Sequence, residues 1–370
     1  MKIILATGIF PPELGGPATM AEALKNSLAA KGHQVEVLTF SDNRSGINQQ
    51  NGRNIIHYLQ RTNVLFNYLR YFLKLNALVK KDDLVLAFDA LSVGLPSALV
   101  KKIKGNKLAI RLGGDFLWEQ SVARGLTVCA LPDFYKQKFN RWQKLRFKLI
   151  KRTLKAADKV ILTNRWFLNI IKEPYGLSEE KIEIIKNFYP QSQAPVSSRS
   201  RTAVAAGRFI KIKNFEKLIE AFDGSRCPEA RLVIYGDGPL KKELEALAAR
   251  QKNHRVELRP ALSQTDLLKE LAACRFYVQP SLSEVSPNTV LQALAAKTPV
   301  LMTRHCGYLE FLKDRVTTFD PFDEQDLKAK LELFYDDVFY AEQRESLTKI
   351  DQSYRLDEAA AAYENLFLNL

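Results

Sequence analysis

The sequence predicts two doubly wound α/β domains joined by a polar linker. Three observations carry that prediction. Residues 2–40 read as strand, glycine-containing loop, helix and strand. An apolar run ends at Gly8, the loop IFPPELGGPAT follows, and MAEALKNSLAAKGH sets Met20, Leu24, Leu28 and Ala29 at helical spacing ahead of QVEVLTF. From residue 202 the same alternation starts again: AVAAG, a basic loop, an amphipathic helix and the strand RLVIY. Between the two lies NFYPQSQAPVSSRSRT, rich in Pro and Ser and without apolar periodicity. The expected division is a first domain at 1–190, a linker at 191–201, a second domain at 202–350 and a closing helix at 351–370.

A length of 370 residues accommodates two domains, and a hydrophobic fraction of 46% allows each a core. The formal net charge of +14 suits an anionic partner: a membrane surface, a phosphate-rich ligand or nucleic acid. No stretch of 18 apolar residues occurs, so no transmembrane helix is expected. The opening MKIILATGIFPPE has too short an apolar core for a signal peptide and reads as a strand. Cys129, Cys227, Cys274 and Cys306 stand far apart without a CxxC pair. Neither a zinc site nor a disulfide framework is indicated, and a cytoplasmic setting is expected.

In the first domain, Gly15 and Gly16 stand just ahead of the first helix. Glycine lets a backbone approach a ligand and a helix N-terminus favours negative charge; a plain tight turn has the same pattern. His33, in the helix-to-strand connection, reads as structural. Residues 43–54 are polar and contain glycine, which predicts a mobile loop. Residues 63–79 read as an aromatic-rich helix, 83–88 as a short buried strand, 97–104 as a helix with a basic end, and 108–112 as a strand running into GGDFLWE. Gly113, Gly114, Asp115, Trp118 and Glu119 therefore sit at the carboxyl end of a strand, where open α/β sheets bind ligands. Asp115 is there either a site carboxylate or a helix N-cap, and Trp118 either lines the site or packs.

Residues 140–157, NRWQKLRFKLIKRTLKAA, form the most basic stretch. Trp142, Leu145, Leu149 and Leu154 fall near one helical stripe, and Lys144, Arg146, Lys148, Lys151, Arg152 and Lys155 cover much of the rest. This is the pattern of a helix lying on an anionic membrane, or of a core-packed helix with a solvated charged face. The cations are not interleaved with a nucleic-acid motif, so no nucleic-acid partner is expected. A strand at 159–163 and a loop–helix–strand passage at 173–185 complete the domain.

The second domain opens with a strand ending at Gly207. Arg208 follows at once, and Lys213 precedes a helix. Two cations beside a strand end and a helix dipole suit a diphosphate; a generic basic turn is the plain alternative. The strand at 231–235 runs into Gly236, Asp237, Gly238 and Pro239, and Pro239 opens the next helix in its favoured position. Residues 256–262 read as strand and loop. The stretch 280–310 then forms one βαβ unit with the strand CRFYVQPS before it, where Phe276 and Val278 alternate with polar neighbours. Its loop, SEVSPN, feeds backbone N–H groups into the helix TVLQALAA, and Ser283, Glu284, Ser286 and Asn288 crowd that loop with polar groups. Residues 327–335 and 342–370 read as helices.

The central stretch resembles the donor-site signature of retaining, nucleotide-sugar-dependent glycosyltransferases of family four, with the GT-B fold. Glu284 matches the signature's first carboxylate, Pro287 and Asn288 its loop, Ala293 to Ala296 its small-residue helix, and Thr298, Pro299 and Val300 its following strand. Val285 stands where Gly is usual, and Gln292 where a second Glu holds the ribose hydroxyls. The resemblance extends to the opening, with Pro-Pro, Gly15–Gly16 and Lys-Gly-His-Gln-Val, and to Gly-Arg followed by Lys five residues on; Asn214 replaces the usual Gly after that Lys.

The resemblance implies an α/β protein of the GT-B class, two Rossmann-like domains facing across a cleft, with the last helix crossing back to the first domain. It implies a retaining hexosyltransferase that needs neither cofactor nor metal. Its donor is a nucleotide diphosphate sugar and its acceptor a glycan or lipid-linked hydroxyl, in cell-surface polysaccharide or glycolipid synthesis. Arg208 and Lys213 would stabilise the leaving diphosphate. Glu284, Ser286, Pro287, Asn288 and Thr289 would hold the sugar, and Gln292 the ribose. Gly15, Gly16, Gly236 and Asp237 would line the donor. Family members carry a cleft His where this chain has none, and Asp115 is expected in that region, orienting the acceptor hydroxyl. The enzyme would work in the cytoplasm or on the inner face of the membrane, docked through 140–157. Gln292, Val285 and the missing His also fit a relative that binds nucleotide sugar without turning it over. An NAD-dependent oxidoreductase fits poorly: the opening lacks a full GxGxxG, and Thr39, Phe40 and Ser41 stand where an acidic residue is expected. A nucleotide-sugar epimerase of the same fold fits less well with the Arg208-to-Glu284 pattern.

Overall fold

The structure, a computed structural model, describes residues 1–13, 15–42, 46–50, 54–191, 200–227, 229–251, 255–312 and 315–370. The chain divides into two compact units. One comprises Met1–Trp118, Tyr135–Asn187 and Leu356–Leu370, the other Glu119–Phe134 and Phe188–Arg355. The expected linker falls mostly on 192–199, outside the described residues. The segment Glu119–Phe134, read from the sequence as part of the first domain, clusters with the second unit.

The first unit contains β1 (Lys2–Ala6), α1 (Gly16–Ala30), β2 (Gln34–Ser41), β3 (Gly46–Gln50), β4 (Asn54–Gln60), α2 (Val64–Leu78), β5 (Leu84–Ala87), α3 (Gly94–Lys104) and β6 (Lys107–Leu112). The chain leaves this unit within α4 (Phe116–Ala123), forms α5 (Leu131–Phe134), and returns for α6 (Arg141–Ala156), β7 (Lys159–Leu162), α7 (Arg165–Tyr175) and β8 (Ile182–Ile184). The strand order is β3-β4-β2-β1-β5-β6-β7-β8. Every pair is parallel except β3 with β4.

Residues 46–50 and 54–60 overturn the expected loop at 43–54. They pair as strands at the sheet edge, where a strand needs a partner on one side only and polar composition is tolerated. On β2, Glu36 is buried and accepts from His57 Nε2 of β4 at 2.9 Å and from Lys2 Nζ of β1 at 3.0 Å. The His57 hydrogen bond is the largest influence in holding the Glu36 carboxyl below its ordinary range, with burial opposing and Lys2 assisting.

The second unit contains β9 (Thr202–Ala206), α8 (Phe215–Asp223), β10 (Arg231–Tyr235), α9 (Lys241–Ala249), β11 (Val256–Arg259), α10 (Gln264–Ala273), β12 (Phe276–Gln279), α11 (Asn288–Ala295), β13 (Val300–Thr303), α12 (Leu309–Leu312), β14 (Thr317–Phe319), α13 (Glu324–Leu333) and α14 (Asp337–Leu347). Its strands are all parallel, in the order β11-β10-β9-β12-β13-β14. Both faces are covered, as a parallel sheet requires. Ala203, Ala205, Phe276, Val278 and Leu301 join the core on one side, and Val204, Ala206, Tyr277, Val300 and Met302 the core on the other.

The helix expected at 342–370 is broken. α14 ends at Leu347, and α15 (Leu356–Leu368) belongs to the first unit. There Ala359, Ala360, Tyr363, Leu366 and Phe367 are buried. Arg111 Nε donates to Tyr363 Oη at 2.9 Å, and Glu364 accepts from Lys31 at 2.6 Å and pairs with His33 at 2.7 Å. His33 is thus structural. No helix among the described residues is long and apolar enough to cross a membrane.

Candidate functional site

In the second sheet the chain winds outward one way from β9 and the other way from β12. Loops leaving the carboxyl ends of these neighbouring strands diverge, and such a switch point opens a crevice for ligand. The loop after β9 carries Arg208 and Lys213. The loop after β10 is Gly236-Asp237-Gly238. The loop after β12 carries Glu284 into α11.

Backbone hydrogen bonds lock the first two loops together. Phe209 N donates to Asp237 O at 2.8 Å, Leu240 N to Phe209 O at 3.1 Å, and Gly207 N to Tyr235 O at 3.0 Å. Only glycine fits at 236, because a Cβ there would lie 2.1 Å from Gly207 O and 2.5 Å from the Phe209 ring. Lys213 lays its aliphatic stem near Gly207 and points its ammonium at the third loop. Lys213 Nζ meets Glu284 Oε2 at 2.7 Å, with the side chains 18% and 14% exposed.

Glu284 is held by both its backbone and its carboxylate. Its N–H donates to His305 O at 2.9 Å and its carbonyl accepts from Gly307 N at 3.0 Å, a bridge that joins the β12 and β13 loops. Besides Lys213, Oε2 accepts from Ser281 Oγ at 3.0 Å and Gln279 Nε2 at 3.1 Å. Gln279 in turn donates to Ser281 Oγ at 2.6 Å and accepts from Tyr277 Oη at 2.6 Å. Among the described residues Glu284 Oε1 takes no hydrogen bond, so that oxygen is open to a ligand hydroxyl. Burial, and then the charge of Arg304, lower the pKa of His305 beside it, so its imidazole is neutral at pH 7.

The remaining predicted residues sort by unit and exposure. Arg208 is exposed, and its guanidinium makes no ion pair or hydrogen bond among the described residues. Asp237 is exposed and accepts from Gly238 N at 2.8 Å. α11 starts after Pro287 without a side-chain cap; Asn288 N donates to Ser286 O at 2.9 Å, while among the described residues the amides of Thr289 and Val290 take no such partner. Ser286, Asn288, Thr289 and Gln292 are half-buried, and the Gln292 side chain has no hydrogen-bond partner among the described residues. Thr289 bonds the Tyr277 phenol.

Ser283 differs from the expectation of a loop hydroxyl crowding the site. It is buried, and its Oγ accepts from Leu131 N at 2.9 Å, which ties α5 into this unit.

Gly15, Gly16 and Asp115 lie in the first unit. Gly15 precedes α1 at the end of the β1 loop, without a side-chain cap on the helix. Asp115 is buried, and its carboxylate is occupied: Oδ1 accepts from Trp118 N at 2.8 Å and Oδ2 accepts from Tyr135 Oη. Burial raises its pKa. This geometry supports the helix-cap alternative over an acceptor-orienting role, and Trp118 is likewise buried as a packing residue. Sequence reasoning missed Tyr277, Gln279, Ser281 and His305. Among the described residues no group of three or more His, Cys, Asp or Glu is placed to hold a metal ion.

Comparison with known proteins is consistent with this geometry. Residues 14–192 match the model described as Glycosyltransferase Family 4, and residues 191–353 the model described as Glycosyl transferases group 1. The chain is 29% identical over 221 residues to mannosylfructose-phosphate synthase of Agrobacterium fabrum, covering 53% of this chain and 48% of that protein. It thus spans about half the length of that relative. It is 25% identical over 265 residues to the N-acetylgalactosamine-N,N'-diacetylbacillosaminyl-diphospho-undecaprenol 4-alpha-N-acetylgalactosaminyltransferase of Campylobacter jejuni, covering 68% of each chain. Its fold superimposes on sucrose-phosphate synthase from Thermosynechococcus elongatus with a TM-score of 0.78 at 17% identity, over 100% of this chain and 99% of the other.

Proposed function

The chain belongs to the group 1 glycosyltransferases of the GT-B fold, and from that membership we propose that it moves a sugar from a nucleotide diphosphate sugar to an acceptor hydroxyl, with retention at the anomeric carbon. The observation that carries the reading is the Lys213–Glu284 pair at the switch point of the second sheet. It sets a cation beside a carboxylate that has one oxygen still unengaged. A donor arriving there supplies two complementary groups: phosphate oxygens for Lys213 and the unpaired Arg208, and sugar hydroxyls for Glu284 Oε1.

In the reaction the bond between the anomeric carbon and the diphosphate oxygen breaks, and its electron pair leaves with the nucleoside diphosphate. Lys213 and Arg208 stabilise the charge that grows on that leaving group, the kind of fixed electrostatic term that dominates many catalysed transfers. The acceptor oxygen bonds to the anomeric carbon on the face the diphosphate vacates, and its proton passes to a diphosphate oxygen. At the start of α11 the backbone amides of Thr289 and Val290 would add to the donor's contacts. In this reading Gln292, whose amide has no partner among the described residues, bonds the ribose. In this reading the cationic pair does the work of a metal, so a chelator leaves turnover unchanged. The Campylobacter relative's name specifies a lipid-linked acceptor, and we assign this chain an acceptor of the same broad class, a polysaccharide or glycolipid hydroxyl.

The uncharged Gln292, where the signature this stretch resembles has a second Glu, favours a second reading: a relative that binds the donor without turning it over. One set of assays separates the two. A thermal-shift screen of UDP-, GDP- and ADP-sugars identifies the donor, and donor hydrolysis or transfer is then followed. Arg208→Ala and Lys213→Ala should each lower kcat on the order of 100-fold with an unchanged circular dichroism spectrum. Unchanged turnover in both variants would remove the phosphate-clamp reading.

A further inference from the structure

Three neighbouring helices of the first unit leave apolar side chains uncovered. α2 exposes Leu65 to 83%, together with Phe66, Leu69 and Leu73; α3 exposes Leu99 and Ile103. α2 packs on α3, and α3 on α6. On α2 the exposed leucines follow one another at four-residue steps, on the side opposite the buried Tyr71 and Leu75. A helix covering a sheet ordinarily turns polar residues outward, so a run of this kind marks an interaction face.

The charge on these helices has one sign. α2, α3 and α6 contain no Asp or Glu at all. Arg70 lies on α2 with its guanidinium 5.6 Å from the Phe66 ring. Lys102 is exposed on α3, and Lys144, Lys148 and Arg152 are exposed on α6. An apolar stripe on helices whose own charges are all cationic is complementary to a surface with anionic headgroups over hydrocarbon. A second copy of the chain fits badly, because apposing two such faces brings like charges together.

The sequence pointed to 140–157 for this role, but α6 turns Gln143, Ile150, Thr153 and Leu154 inward. Among its large apolar side chains only Leu145 is strongly exposed. α6 therefore supplies the charge, and α2, read from the sequence only as an aromatic-rich helix, supplies the apolar part.

We propose that the α2–α3–α6 face docks on an anionic lipid bilayer, with Leu65, Leu69 and Leu73 entering the headgroup boundary and the cations of α3 and α6 facing lipid phosphates.

The test is flotation of the full chain with phosphatidylcholine vesicles, with and without phosphatidylglycerol, at low and high salt. The wild type should float only with the anionic vesicles and be released by salt. Leu65→Ser/Leu69→Ser/Leu73→Ser and, separately, Lys144→Glu/Lys148→Glu should each cut the bound fraction about tenfold or more while keeping the circular dichroism spectrum. Absence of wild-type flotation overturns the proposal, as does undiminished flotation of the triple-serine variant. A dimer that forms without vesicle binding and is lost in the triple-serine variant assigns the face to a second copy and also overturns it. Vesicle binding is read without any donor or acceptor, so its outcome is distinct from that of the transfer assays.

Discussion

At the residue scale the site rests on how a carboxylate divides its hydrogen bonds. Glu284 places Lys213, Ser281 and Gln279 on one oxygen and leaves the other open. Asp115 is the opposite case, with both oxygens engaged inside the fold. The difference predicts their tolerance to change. Burial raises the folded pKa of Asp115 above the ordinary value of 3.8. Its stabilising contribution is therefore complete below about 3.8 and is lost as pH rises through the higher folded value. Asp115→Asn keeps a capping oxygen and removes that loss. Its Tm at pH 7 should equal or exceed the wild type's, with kcat within a few-fold, whereas Asp115→Ala should cost about 1 kcal/mol through the lost cap. A hundred-fold fall in kcat for Asp115→Asn would return the residue to the acceptor. Glu284 and Lys213 were legible in the sequence because each stands in a motif of fixed spacing. The residues behind them were not. Tyr277, Gln279 and Ser281 alternate along one face of a strand end, a readable signal, but in the sequence the first two read only as the polar neighbours of Phe276 and Val278.

At the element scale, the loops at the carboxyl ends of β9 and β10 work as one piece because backbone meets backbone. Gly236→Ala tests this, since a Cβ 2.1 Å from Gly207 O forces the two loops apart. The expected result is a loss of about 2 kcal/mol in stability, as for an overpacked interior site, and at least tenfold weaker donor binding by calorimetry. Donor affinity matching the wild type's would show that the paired loops do not shape the nucleotide site. Most elements of the second unit were predictable, since β9, β10, β12 and β13 are largely apolar runs punctuated by Gly, Pro or a cap. The misses fall where that punctuation is weak. β3 is polar and lies at an edge, so nothing in its composition separates it from a loop. The break between α14 and α15 lies in a stretch without Gly or Pro, and a change of tertiary partner marks it instead.

At the scale of the whole molecule, two α/β units and a last helix returning to the first were expected, but the clustering of Glu119–Phe134 with the second unit was not. The bond from Leu131 N to Ser283 Oγ spans 152 positions and leaves no local trace in the sequence. The same holds for Arg111 and Tyr363, 252 positions apart. Truncation after Arg355 removes the buried Ala359, Ala360, Tyr363, Leu366 and Phe367 from the first unit. At roughly 1.5–3 kcal/mol for each large apolar side chain, the loss is on the order of the total stability of a domain. The truncated chain should lose the protease resistance of Met1–Trp118 while Phe188–Arg355 retains its own; a first unit as resistant as in the full chain would show that α15 is dispensable.

Because α15 follows the entire second unit in chain order, the ribosome completes the second unit before it makes the last helix of the first. Until then the first unit lacks the buried Ala359, Ala360, Tyr363, Leu366 and Phe367, and its completion is timed by a helix translated more than 160 residues after Asn187.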